Sequence, residues 1–184
     1  FQSEERVRNQ GSQPNTSERK ATEADPHQAK SLALSQEEEL QIEENLRVLA
    51  ISLRRDGETD DEAFERVKSS QYLIHFGHDE YWPFYRAERR FGRVILTINT
   101  AHPFFTELYE PLKRGNIGDD IDTDDEATNE TSQESPGPLV ALELLLLSLA
   151  RTQAALSSNE DDVRKTLDLF QREWAQAYRV QLTR

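Results

Sequence analysis

A chain of 184 residues is long enough for one domain with its own core, yet only 35% of it is apolar, so part of it is expected to lie outside that core. Its net charge of −13 works against nonspecific binding to nucleic acid or anionic lipid. There is no cysteine, which excludes disulfides and cysteine metal sites. No apolar run is read as a membrane span or a signal peptide, which places the chain in the cytoplasm.

From the N-terminus, Phe1, Gln2 and Ser3 read as the remnant of a protease-cleavable expression tag. The lack of methionine and of a natural start reads as a fragment of a larger protein. Residues 1–34 are rich in Gln, Ser, Glu, Asn and Arg, a composition that does not offset the entropy of ordering, and a flexible polar linker is expected. Residues 35–184 are expected to form a single domain. A helix should open at Ser35, which makes a capping box with Glu38, and carry Ile42, Leu46, Leu49 and Leu53 on one face. Arg54 and Arg55 suit its negative end, and Gly57 supplies a left-handed stop. Thr59 and Glu62 repeat the box and start a short helix with Ala63, Phe64 and Val67 inward.

Tyr72–Gly77 alternates like a strand, and Arg93–Asn99 is a second strand rich in β-branched side chains. The two are expected to pair antiparallel through an irregular aromatic stretch at 81–85. Asn99, Thr100, Ala101, His102 and Pro103 then form a corner, after which Phe104, Phe105, Leu108 and Tyr109 recur at helical spacing. Residues 115–136 carry Asp119, Asp120, Asp122, Asp124, Asp125 and Glu126 without a Lys or Arg among those acids, and a disordered acidic loop is expected. A helix over 139–156 is apolar nearly all round, with Leu142, Leu145, Leu146 and Leu149 on one side. Ser158 or Asn159 should cap the last helix, where Val163, Leu167, Phe170, Trp174 and Tyr178 step by three and four. The expected fold is α+β: a small antiparallel sheet packed by several helices, with a C-terminal antiparallel helical hairpin.

No assembled catalytic set emerges. His75 and His78 with Asp79 and Glu80 are the nearest approach to a metal cluster, but a strand followed by a turn makes the two histidines diverge, and ordinary edge residues are the simpler reading. Asp120, Asp122 and Asp124 alternate as in a calcium loop, yet Asp125 stands where such a loop needs Gly and Thr131 where it needs Glu. Arg86, Arg89, Arg90 and Arg93, interleaved with Tyr85 and Phe91, form a basic patch suited to phosphate contact or to internal pairing. His102 reads as a structural corner, since neither a nucleophile nor an orienting acid accompanies it. These arginines, His102 and Trp174 are kept as candidate interaction residues. No catalytic residue, cofactor or metal ligand is assigned.

The wording ILTINTAHPFFTELYEPL over residues 95–112, followed by ALELLLLSLARTQAAL, resembles the C-terminal region of bacterial proteins of the histidine-kinase/Hsp90-like (gyrase-type) ATPase superfamily. The likeness covers roughly residues 85–156. The superfamily's nucleotide-site motifs have no counterpart here, so the resemblance carries over no ATP-site residue. It implies a domain that accompanies an ATPase module. The expected function is therefore a non-catalytic accessory, interaction or dimerisation domain, with protein partners: itself or the ATPase part of its parent. The alternatives are a metal-assisted hydrolase using the His75, His78 and His102 region, and a nucleic-acid adaptor using the patch at 86–93.

Overall fold

The computed structural model describes residues 13–24, 36–118, 137–157 and 161–183. Its elements run α1 (Thr16–Glu23), α2 (Gln36–Ser52), α3 (Asp60–Ser69), β1 (Tyr72–Gly77), β2 (Tyr85–Arg90), β3 (Arg93–Asn99), a π-helical turn (Phe105–Tyr109), α4 (Glu110–Gly118), α5 (Pro138–Ser157) and α6 (Asp161–Leu182). The fold is α+β, a small sheet packed by helices, as the sequence led one to expect. The Ser35 cap, the acids at 119–126 and the Ser158 or Asn159 cap lie outside the described residues.

The sheet departs from expectation in two respects, its pairing and its third strand. Its order is β1-β3-β2, and β1 pairs with β3 in parallel, Tyr72 beside Val94 and Gly77 beside Asn99. The antiparallel partner of β3 is β2, which sequence reading passed over as a basic patch. Composition explains the order. Residues 94–98 carry no charge and need neighbours on both edges, whereas β2 reads YRAERR and tolerates an edge position. Between β2 and β3, Phe91 and Gly92 both take positive φ, +48° and +76°, the signature of a two-residue I′ turn.

Two helical layers enclose the sheet. On one face, Leu46, Leu49, Ala50 and Leu53 of α2 and Ala63, Phe64 and Val67 of α3 close over Leu73 and Ile95. On the other, Leu146, Leu147 and Ala150 of α5 and Ala175 of α6 meet Tyr72, Ile74, Tyr85, Leu96 and Ile98. The Thr59–Glu62 capping box is present in both directions. Beneath it Arg66 forks onto both carboxylate oxygens of Glu58, at 2.7 and 2.9 Å, and donates to the Leu53 carbonyl. The C-terminal hairpin converges on Tyr85, whose hydroxyl meets Gln153 of α5 and whose carbonyl accepts from Gln171 of α6. The buried face of α5 is Glu143, Leu146, Leu147, Ala150 and Ala154, while Leu145 is 57% exposed.

Two further expectations are corrected. Residues 1–34 are not linker throughout, because α1 is a packed helix. Its Asn15–Glu18 capping box is complete, and Glu18 is fully buried. The Glu18 carboxylate accepts from the backbone N–H of Ile74 at 2.6 Å and from Arg55, while Thr22 accepts from the N–H of Gln71. A polar helix thus covers the outer edge of β1 through hydrogen bonds, which hydrophobic patterning does not register. The second concerns Pro138–Leu156, which is long and apolar enough to cross a membrane by length and composition. Its Glu143 bonds to Ser17 and Tyr109 inside the protein, and its inner face covers the sheet, as a core helix does.

Candidate interaction surface

The corner after β3 is built on two buried polar side chains. Asn99 uses all its hydrogen-bonding capacity: its oxygen accepts from the N–H of Asp79 and Ala101, and its amide donates to the carbonyls of Asp79 and Trp82. His102 accepts from the N–H of Phe104 at Nδ1, and its Nε2–H donates to the carbonyl of Ala175 at 3.2 Å. That pair of bonds fixes the neutral Nε2–H tautomer. Burial holds the imidazole below its ordinary pKa, aided by the Arg179 charge and opposed by the bond to Ala175. With both nitrogens used inside the protein, His102 is a fastener between the corner and α6. The same corner holds the 79–83 loop, where Tyr81 stands 91% exposed.

The three histidines do not converge. His75 lies on the sheet face covered by α2 and α3, beside Thr97, whereas His102 contacts α6 and the ring of Phe84. His78 meets the Thr100 hydroxyl at 3.0 Å. Among the described residues, three or more His, Asp or Glu side chains are nowhere grouped to hold a metal ion.

The arginine patch divides in two. Arg93 donates to the carbonyls of Val67 and Lys68 at 3.0 Å, satisfying the C-terminal end of α3. Its role is internal. Arg86, Arg89 and Arg90 stay exposed on β2. Arg86 lies over the Trp82 ring, 4.5 Å from its centroid, and Arg90 reaches Glu88 only at 3.9 Å.

Among the described residues, the hairpin exposes an aromatic surface and an uncharged one. Trp174 sits edge-on to Phe84 and beside Phe170, which is 61% exposed. On α5 the positions Ala141, Leu145, Ser148, Thr152 and Ala155 are exposed and uncharged, with the exposed Arg151 at their edge. They step by four, three, four and three, the spacing of a seam for another helix.

Sequence reading missed one further feature. Glu143 is buried, and its two oxygens accept from the hydroxyls of Ser17 and Tyr109, both at 2.5 Å. Burial raises the Glu143 pKa against the pull of those hydroxyls, and burial beside Glu143 raises that of Tyr109 as well. The group borders a cavity of about 330 Å³ whose lining includes Arg55, Phe76, Lys113 and Val140. A single Glu inside the run LVALELLLLSL was the available signal, since a charge in an apolar helix is kept only with partners.

No family model matches the chain, and neither a curated protein nor a solved structure matches it.

Proposed function

We propose that this chain is a non-catalytic accessory domain that associates with a second copy of itself through the outer face of α5. The observation that carries the reading is the exposed, uncharged seam of Ala141, Leu145, Ser148, Thr152 and Ala155 on a helix that already covers the sheet with its inner face. Solvent-facing helix surfaces ordinarily carry charge; this one offers spacing for knobs-into-holes contact instead. Joining like surfaces about a two-fold axis avoids setting the rest of this acidic chain against itself. The likeness of roughly residues 85–156 to the C-terminal region of histidine-kinase/Hsp90-like ATPases extends the proposal: the parent protein uses the domain to pair or couple its ATPase modules.

Because the chain has no cysteine, a single Ser148→Cys substitution is a clean probe of the seam. Mild oxidation should yield a covalent dimer from Ser148→Cys and little from Thr166→Cys, an exposed position on α6. Equal yields from the two positions would contradict the seam.

A further inference from the structure

The two edges of the sheet are treated differently. On β1 the outward N–H of Ile74 is taken by Glu18, and the N–H of Gln71 just before the strand by Thr22. On β2 the hydrogen-bonding phase follows from Asn99, whose N–H donates to the Phe84 carbonyl. Residues 84, 86, 88 and 90 therefore face β3, and 85, 87 and 89 present their backbone groups outward. The Tyr85 carbonyl is covered by Gln171. Among the described residues, the outward backbone groups of Ala87 and Arg89 make no hydrogen bond. An open strand edge is a template for another strand unless charge or twist blunts it.

The charges on this edge select an occupant. β2 holds three arginines against one glutamate, in a chain whose net charge is −13. Arg86 and Arg90 share one face with Glu88 between them, and Arg89 lies on the other. A second copy would set arginine-rich strands side by side, and like-charge repulsion disfavours it. We propose that β2 is a docking edge for an extended acidic segment of a partner protein, which adds a strand at Ala87 and Arg89. Its carboxylates, four residues apart on one face, meet Arg86 and Arg90. Main-chain bonds supply affinity and the arginines supply selectivity. This site goes beyond the self-association through α5 and does not depend on it.

The test uses a fluorescein-labelled peptide EVTVEV, its charge-reversed counterpart KVTVKV and a labelled oligothymidylate, followed by fluorescence anisotropy on the full chain. EVTVEV should bind, more weakly as salt rises, and KVTVKV should not. Ala87→Pro removes one outward N–H and no bond to β3, and should weaken binding by about tenfold or more. Arg86→Glu with Arg90→Glu should do the same while leaving every backbone group in place, so the result stands even if the proline variant melts early. Failure of EVTVEV to bind, equal binding by Ala87→Pro and by the double variant, or tighter binding of oligothymidylate to the same arginines would each overturn the proposal.

Discussion

The imidazole of His102 donates from Nε2 to the carbonyl of Ala175, tying the end of β3 to a helix 73 residues further along the chain. The bond closes a path from the sheet through the corner to α6. His102→Ala would open a cavity, leave the Phe104 N–H without its side-chain acceptor and take from the Ala175 carbonyl the bond it accepts in addition to its helical one. A loss of about 2–4 kcal/mol is expected, read from the urea midpoint. The sign with pH is fixed by burial. The folded imidazole titrates below 6.5, so the unfolded chain takes up the proton first and stability falls as pH drops below that value. His102→Ala should remove that part of the pH dependence.

The Glu58–Arg66 pair behaves in a different pH window. Burial alone would raise the Glu58 pKa, but hydrogen bonds from Arg66 and the Arg55 N–H, with the charges of Arg66 and Arg55, hold it below 4.5. Its stabilisation is complete above 4.5 and is lost as pH falls through the lower folded value. Glu58→Gln leaves a buried guanidinium without its counter-charge and should cost about 3–5 kcal/mol at neutral pH. Thermal melts over an acid series check both the size and the window.

At Glu143 the sign reverses. Burial raises its pKa, so the folded state binds the proton more tightly than the unfolded chain. The Glu143 contribution to stability is greatest below 4.5 and declines as pH rises through the folded value. Glu143→Gln should flatten that decline because an amide does not titrate, and its amide can still bond to the Ser17 and Tyr109 hydroxyls. Glu143→Ala should destabilise by stranding both hydroxyls. Unfolding curves of the two variants across that pH range separate the outcomes.

Gly77 is held by close packing. A Cβ there would stand 3.0 Å from the Trp82 ring and 3.1 Å from the Thr97 methyl. Gly77→Ala should push the Trp82 ring off its place under Arg86 and shift tryptophan fluorescence, while the fold survives.

Local signals in the sequence were reliable and pairing signals were not. The Thr59–Glu62 box, the alternation of Tyr72–Gly77 and the β-branched run of Arg93–Asn99 each encode one element through its own residues. Pairing in parallel depends on where β2 goes, and β2 is too charged to resemble a strand. The same limit hid α1, whose polar residues are buried by hydrogen bonds to Ile74 and Arg55, groups more than thirty positions away. The bend at His102 has a local signal in Pro103, which disfavours helical geometry in the residue before it. Of the arginines, Arg93 turned inward and the other three stayed out. That split follows from the position of α3 and is not written in the arginines themselves.

Sedimentation equilibrium of the unmodified chain beside Leu145→Glu tests the central claim most directly. A chain of 21.3 kDa should show twice that mass as concentration rises through the micromolar range, and Leu145→Glu should remain at the single-chain mass with an unchanged melting curve. A wild-type chain that stays monomeric throughout, or a Leu145→Glu variant that dimerises equally well, would contradict self-association through α5.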